Sequence, residues 1–409
     1  MSLRTGVDTR EAWLTAFAAL AILAVSFGAP HIVSTGLKTI AEDLGGQRSV
    51  PSAANALAWL GTGVGGLLMG LVAERIGVRF TAMFGAVMVA AGLALSSLGE
   101  TWQLYVGHGL LIGLLGNGGI NAPLYVYVTR WFDRRRGAAL ALIASGQYAA
   151  GAFWPPLFER AIAAYGWRQT MVGFGIGVAV VVVPLAGLFL KPPPTPVVVS
   201  GTGGGGGSAN TVFGLPAGLA FSLLAIASFL CCVPMAMPQG HLIAFCGDLG
   251  FLPGRGAAML SLLLTCAFFS RQFWGWMSDR IGGLMTLLVC SAAQAVAILG
   301  FLVTQTEAGL FFVAAAFGLG FSGLIPAYMM TARQLFPASE ASWRLPVLLL
   351  TGTGGMAFGG WSAGVLHDYY GFYAPAFAAG LAANVANFLI IAGLVISARR
   401  KYERHPQWT

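Results

Sequence analysis

The sequence predicts an all-α membrane protein whose twelve transmembrane helices form two pseudo-symmetric six-helix bundles. Three observations support this fold class. First, 57% of the 409 residues are hydrophobic and only 9% are charged, whereas a soluble domain usually has about 25% charged residues. Second, the chain contains twelve apolar stretches of about 20 residues, the length that crosses a bilayer as a helix. Third, the two halves of the chain repeat each other.

Each apolar stretch predicts one helix. In the first half the predicted helices cover residues 12–33, 53–72, 80–98, 104–128, 138–158 and 171–190. In the second half they cover residues 215–237, 256–277, 284–303, 310–331, 346–366 and 374–396. Between the halves, a proline run and five consecutive glycines cannot hold a fold and indicate a linker. We therefore expect an N-terminal bundle of residues 1–190, a cytoplasmic linker of residues 191–210 and a C-terminal bundle of residues 211–409.

The repeat is visible in short matching motifs. Residues 70–77 (GLVAERIG) recur 205 residues later as residues 275–282 (GWMSDRIG). Tyr165-Gly166 recurs with the same offset as Tyr370-Gly371. Matches that share one spacing indicate that a six-helix unit was duplicated.

Arginine and lysine residues are unevenly distributed between the two sides of the predicted helices. If both termini are cytoplasmic, the inner segments contain 16 of them, the outer segments contain five, and Arg271 lies within a helix. Cytoplasmic segments of membrane proteins carry the excess of positive charge. We therefore expect an integral protein of the plasma (inner) membrane with both termini in the cytoplasm. The net charge of +8 is explained by this topology, so no nucleic-acid partner is expected.

Arg271 is the only charged residue between Arg255 and Asp279, in the eighth predicted helix. A guanidinium keeps its proton, so placing it in hydrocarbon without a partner costs several kcal/mol. An anion is its natural partner, which makes Arg271 the first candidate for substrate binding. In the alternative, the side chain extends toward Asp279, about 12 Å along the helix, and reaches the membrane surface.

Further polar residues could contribute to the same site. Asn117, Asn121 and Tyr125 follow each other at four-residue spacing in the fourth predicted helix, so they share one face. Tyr328 occupies the repeat-related position in the tenth helix, and Gln147 lies on the fifth. These groups could hydrogen-bond a small acid, or they could simply join neighbouring helices.

The repeated acidic-Arg-Ile-Gly motif, together with twelve predicted helices in two halves, resembles the signature of the major facilitator superfamily. The resemblance covers nearly the whole chain and implies a cytoplasmic latch. It assigns gating roles to Gly70, Glu74, Arg75, Asp279 and Arg280. In the alternative, these residues are surface turns whose charges only set the topology.

A closer branch can also be recognised. Residues 130–137 (RWFDRRRG), 145–146 (SG), 166–168 (GWR) and 270–275 (SRQFWG) resemble the monocarboxylate transporters and the oxalate:formate antiporter. In that branch the arginine in this setting on the eighth helix binds the substrate carboxylate, which is the role inferred above for Arg271.

Three departures from this branch bear on the substrate. The antiporter has a second cation in the eleventh helix where this chain has Gly352, and one guanidinium balances one carboxylate better than two. Animal monocarboxylate transporters have an aspartate where this chain has Ala267. They also have a lysine after a proline in the first helix, where His31 follows Pro30 here. His31 is therefore the candidate for proton coupling, with packing as the alternative.

The sequence thus predicts a secondary active transporter of a small, lactate- or pyruvate-like monocarboxylate that works by alternating access, with coupling to H⁺ left open. The alternatives are a carboxylate exchanger of the oxalate:formate antiporter type and a non-transporting carboxylate receptor. Neither a phosphate-binding loop nor a cysteine–histidine metal motif is present in the sequence, so we expect no enzyme, cofactor or metal. The expected partners are the anion, H⁺ and the bilayer, with the protein monomeric.

Overall fold

The computed structural model of the protein describes residues 7–193, 211–212, 215–336 and 338–404. Within these residues, ten helices are long and apolar enough to cross a membrane. One of them, Gly137–Phe189, has 53 residues and is broken at Gly166 into two helices. Ala338–Tyr370 is a further long helix. The twelve predicted transmembrane helices are therefore confirmed.

We number the transmembrane helices α1 to α12. The first half consists of α1 (Arg10–Thr35), α2 (Ser49–Ile76), α3 (Val78–Ser96), α4 (Thr101–Thr129), α5 (136–165) and α6 (167–189). The second half consists of α7 (Ala217–Asp248), α8 (Pro253–Ile281), α9 (Gly283–Val303), α10 (Glu307–Leu335), α11 (Ala338–Tyr370) and α12 (Ala374–Arg404). The short helix Leu37–Asp43 joins α1 to α2, and two-residue strands β1 (Thr211–Val212) and β2 (Leu215–Pro216) pair antiparallel before α7.

Most predicted helix ends agree with the structure within a few residues, but α5 and α12 end seven and eight residues later than predicted and α11 begins eight residues earlier. The largest difference is at the end of α7. The sequence predicted an end at residue 237, just before Pro238, but α7 continues to Asp248. Two prolines, Pro234 and Pro238, lie inside this helix. Proline is tolerated in transmembrane helices because neighbouring groups satisfy the freed backbone carbonyls, so the proline does not end the helix.

The repeat between the halves is also present in the backbone. Gly166 and its repeat counterpart Gly371 both have φ of 82°. Gly77 and its counterpart Gly282 have φ of 91° and 82°. A residue with a side chain is strained in this left-handed region, so these glycines end their helices at matching positions. The duplicated motifs are helix-terminating turns.

Two faces of the helix assembly are distinguished below. The linker face is the face at which α1 begins at Arg10 and α6 ends at Phe189. The far face is the opposite one, where α7 ends at Asp248 and α11 ends at Tyr370. Most of the predicted linker, residues 194–210, lies outside the described residues. Lys191 is held at the linker face, since its Nζ lies 2.8 Å from Glu11 Oε1 and its carbonyl accepts the Tyr127 hydroxyl at 2.5 Å.

Buried apolar side chains form two clusters, one from residues 12–190 and the other mainly from residues 212–395. Trp59 of α2 packs against both clusters. Each half therefore has its own core, and the candidate site lies where the two halves meet.

Candidate functional site

Arg271 of α8 reaches across the boundary between the halves. Only 9% of the residue is exposed. Its Nη1 donates a hydrogen bond to the carbonyl oxygen of Ala144 in α5 at 2.6 Å. Its guanidinium carbon lies 4.8 Å from the centre of the Tyr148 ring, a distance suited to cation–π attraction. The side chain therefore points toward α5 in the first half, and the alternative that it extends to the membrane surface is wrong.

The carbonyl dipole of Ala144 and the aromatic ring of Tyr148 lie against the charge of Arg271. Among the ion pairs found within the described residues, none involves Arg271. Its buried Nε has no hydrogen-bond partner in that part of the chain. One edge of the guanidinium thus remains available for an acceptor from outside the protein.

A break in α5 supplies the acceptors for α8. The helix is interrupted at Ser145, between Arg136–Ala144 and the stretch that begins at Gly146. The Ala144 carbonyl at this break accepts Arg271, and the Ser145 hydroxyl accepts Gln272 Nε2 at 3.3 Å. Ser145 is fully buried and donates to Ala141 O at 2.8 Å. The Ser-Gly pair of the sequence therefore places two oxygens opposite the α8 arginine and glutamine.

Three of the other predicted binding residues lie on α4 and α5 near this point. Tyr125 is within electrostatic reach of Arg271, as is Tyr148. Asn121 and Gln147 face each other, with Gln147 Nε2 donating to Asn121 Oδ1 at 3.5 Å. The structure thus brings Tyr125 to Arg271 and pairs Asn121 with Gln147 beside it.

The two other predicted binding residues, Asn117 and Tyr328, are buried. Asn117 is fully buried, and neither amide atom has a hydrogen-bond partner within the described residues. It is the last residue of a π-helical stretch, Gly107–Asn117, and the residues that follow it are α-helical. Tyr328 is 1% exposed and donates to Asn387 Oδ1 of α12 at 2.6 Å. The repeat fixes the backbone position of Tyr328, but α12 supplies its hydroxyl with a partner inside the second half.

His31 lies where α1, α5 and α8 meet. A Cβ built on Gly151 of α5 would stand 2.9 Å from the His31 ring and 2.0 Å from Leu264 of α8. Leu264 precedes Arg271 by seven residues, which is about 10 Å along a helix. His31 therefore lies on the far-face side of Arg271.

The predicted gating residues lie at the linker face and are open to the surroundings. Glu74, Arg75, Asp279 and Arg280 are all exposed, and no ion pair found in the described part of the chain joins them. The Arg280 guanidinium stacks instead on Trp276, 4.2 Å from the ring centre. A Cβ on Gly70 would meet no atom within 4 Å. The two motifs do not hold the halves together in this conformation.

A second group of charges, which no sequence motif indicated, joins the halves at the far face. We call Lys38, Arg48, Asp248, His367 and Asp368 the far-face latch. Arg48 binds the Asp248 carboxylate with both terminal nitrogens, at 2.5 and 2.6 Å, and Lys38 Nζ lies 3.3 Å from the same carboxylate. The Asp368 carboxylate accepts the backbone N–H groups of Arg48 and the next residue at 2.8 and 2.9 Å. The halves are therefore closed at the far face.

Burial alone would lower the pKa of Arg48, but its hydrogen bonds raise that pKa above the ordinary arginine value. The hydrogen bond to Asp248 is the largest of these opposing effects, and interaction with Tyr373 adds to it. The guanidinium lies 5.3 Å from the Tyr373 ring centre. Arg48 is thus held as a cation at the boundary between the halves.

This architecture, with two six-helix halves and an arginine that crosses between them, is that of a membrane transporter. The family model of the Major Facilitator Superfamily matches residues 14–342. The chain belongs to this superfamily and is an integral membrane protein.

Several curated relatives are similar over most of the chain. Monocarboxylate transporter 13 of Rattus norvegicus is 25% identical over 333 residues, covering 79% of this chain and 73% of that protein. Monocarboxylate transporter 11 of Homo sapiens is 25% identical over 270 residues, covering 66% and 56%. The MFS-type transporter 1 of Ophiocordyceps sp. is 23% identical over 319 residues, covering 75% and 68%.

Solved structures share the fold. A peptide transporter crystallised with sulfate superposes with a TM-score of 0.72 at 15% identity, covering 94% of each chain. The fucose:proton symporter of E. coli superposes with a TM-score of 0.62 at 14% identity, covering 94% of this chain and 98% of that one.

Proposed function

We propose that this protein is a secondary transporter of a small monocarboxylate that works by alternating access. The observation that carries the proposal is Arg271, a buried cation that bridges the two halves without an acidic partner among the described residues. A carboxylate is the anion that pairs best with a guanidinium. The relatives named monocarboxylate transporters support the same substrate class.

The geometry around Arg271 favours one carboxylate over two. Nη1 already donates to the Ala144 carbonyl, and the buried Nε has no hydrogen-bond partner among the described residues. A carboxylate can take the edge formed by Nε and Nη2 in a two-bond arrangement. Gly352 offers no cation at the position where the antiporter has its second one, and the buried Arg344 of α11 is already paired with Glu340. A dianion would therefore place an uncompensated charge in a low dielectric. A lactate- or pyruvate-like anion fits these groups.

The cycle would expose this site to one face at a time. The far-face latch is closed in this conformation, and the linker face, with the larger share of arginine and lysine, is the cytoplasmic one in our proposal. Closing the linker face would bring together Gly70, Glu74, Arg75, Asp279 and Arg280 as the opposite gate. The protein would work in the plasma (inner) membrane with both termini inside.

Substitution of Arg271 tests the proposal. We expect Arg271→Ala, and also Arg271→Lys, to abolish carboxylate uptake into proteoliposomes, since lysine lacks the planar fork that binds two oxygens. The matched control is Arg255→Ala, which removes an exposed arginine from the same helix and should transport normally. Carboxylate uptake by Arg271→Ala at the rate of the unchanged protein would refute the assignment.

Obligatory exchange, as in the oxalate:formate type, is the second candidate. The observation that supports it is that, among the described residues, Arg271 is met by a carbonyl and a ring and by no carboxylate. A change of conformation without substrate would leave this charge uncompensated in a low dielectric. Uptake measured with and without an imposed pH gradient, and with and without internal carboxylate, separates the two mechanisms. A rate that needs internal substrate but ignores the gradient would establish exchange. A rate that follows the gradient would establish proton coupling, for which His31 is our candidate.

A carboxylate receptor that does not transport would bind the anion but show no flux in either arrangement. Binding measured by calorimetry, together with absent flux in the same vesicles, would identify it.

A further inference from the structure

The far-face latch divides its charges unequally between the halves. The first half contributes two cations, Lys38 and Arg48, and the second half contributes the carboxylates of Asp248 and Asp368. His367 stands between the carboxylates, with its Nε2 3.4 Å from Asp248 Oδ2 and its Nδ1 3.9 Å from Asp368 Oδ1. The closed latch is therefore balanced when His367 is neutral, because two cations face two anions.

The other described polar side chains around His367 add no charge when His241 is in its neutral form. The Tyr373 ring centre lies 4.6 Å from that of His367. His241 of α7 is fixed by the Tyr373 hydroxyl at 3.0 Å and by the Gly360 carbonyl at 2.8 Å. Ser52 of α2 lies 3.4 Å from His241. The charge on the second-half side of the latch is consequently set by its two aspartates and by His367.

Opening the far face would separate these charges. Lys38 and Arg48 would move away with the first half, leaving Asp248 and Asp368 with His367 between them. The two carboxylates would then face each other without their cationic partners, and a carboxylate that loses an arginine partner gains proton affinity. The open cluster should hold a proton more tightly than the closed one.

We propose that Asp248 and His367 form a proton-binding site on the second half. When the far face is closed, Arg48 and Lys38 neutralise the negative charge of this site. When the far face is open, a proton binds there instead. Because binding and conformation are reciprocally linked, acid at the far face stabilises the open conformation. This inference rests on the proposed function only in linking that opening to substrate uptake. It places the proton at the outer gate, whereas the earlier candidate, His31, lies inside the protein.

The distance between the halves at the far face tests this directly. Gln47 and Leu252 are exposed far-face residues, one from each half. Spin labels on Gln47→Cys and Leu252→Cys, in a Cys266→Ala background and in lipid nanodiscs without substrate, report the separation by electron–electron resonance. Between about pH 7.5 and about pH 5.5, the range in which histidine changes charge, we expect the long-distance population to increase. For one bound proton, the ratio of open to closed molecules changes by at most about tenfold per pH unit.

Variants locate the proton. Asp248→Asn should favour the long distance at every pH and lose the pH response, and His367→Gln should move its midpoint to lower pH. Glu307→Gln is the control, because Glu307 forms a far-face ion pair with Arg255 inside the second half, at 3.3 Å, and should respond like the unchanged protein. An unchanged distance across this pH range, or an unaltered response in either Asp248→Asn or His367→Gln, would overturn the proposal. Arg271→Ala should keep the response, so a failure of carboxylate transport would leave this result intact.

Discussion

A single methyl group at Gly364 of α11 should loosen the closed far face without changing any charge. A Cβ at this position would lie 2.6 Å from Ser52 Oγ, 2.9 Å from Ser52 Cβ and 3.0 Å from the Arg48 carbonyl oxygen. The hydroxyl can rotate away, but the Arg48 carbonyl belongs to the backbone that leads into α2. Helices α2 and α11 must therefore move apart in Gly364→Ala.

The size of the effect follows from the cost of overpacking. Inserting a methyl group into a close contact costs about 1–3 kcal/mol. Because only the closed conformation makes this contact, the ratio of open to closed molecules should rise by about five- to 140-fold. A protein that is almost entirely closed would become measurably open.

The assay is the separation of spin labels at positions 47 and 252 at constant neutral pH. The control is Gly360→Ala, one turn away on the same helix, where the Cβ would meet its nearest atom, Ala236 Cβ, at 3.9 Å. Both substitutions add the same helix propensity, and only Gly364→Ala creates the collision. Identical distance distributions for the two variants would show that this contact does not hold the far face closed.

Three further predictions concern other parts of the molecule. Tyr148→Leu should raise the KM for carboxylate about five- to thirtyfold, because it removes the ring under the Arg271 guanidinium. Tyr148→Phe retains the ring and should leave the KM unchanged. Equal KM values for the two variants in uptake assays would contradict this prediction. Tyr328→Phe should leave KM unchanged but lower the melting temperature, since an unsatisfied buried Asn387 oxygen costs about 1–3 kcal/mol. A changed KM with an unchanged melting temperature would instead indicate that Tyr328 binds the substrate. Partial burial opposes ionisation of Asp8, but the backbone N–H groups at 133–135 hold its pKa below the ordinary value. The ionised carboxylate therefore stabilises the folded loop at neutral pH, and this stabilisation is lost as the pH falls through the carboxyl range. Hydrogen exchange at 133–135 should be faster in Asp8→Asn at neutral pH, and an unchanged rate would exclude this contact.

The helices and the repeat could be predicted because their causes are local. The length of an apolar stretch determines whether it can cross the membrane as a helix. The glycines at 77, 166, 282 and 371 end helices through their own backbone conformation. The continuation of α7 past Pro238 could not be predicted, because the groups that tolerate a proline come from neighbouring helices. The π-helical stretch Gly107–Asn117 likewise has no clear mark in the sequence.

The candidate site was predicted in part. Arg271 stood out because a lone charge in an apolar stretch is costly, and Tyr125, Asn121 and Gln147 lie beside it. The far-face latch was not predicted, because Arg48, Asp248 and Asp368 are separated by more than 100 residues and each resembles an ordinary charge at the end of a helix. Their pairing depends on how the two halves dock, and no local pattern encodes that.

The oxygen that accepts the Arg271 hydrogen bond belongs to the main chain at position 144. Every amino acid would supply the same carbonyl there, so position 144 is free to vary in sequence while the contact persists. Exchange of side chains at this position cannot remove it or compensate for a changed Arg271. The contact therefore requires arginine at position 271 on one side of the boundary. On the other side it requires no particular residue, but only the backbone shape of α5 with its break at Ser145.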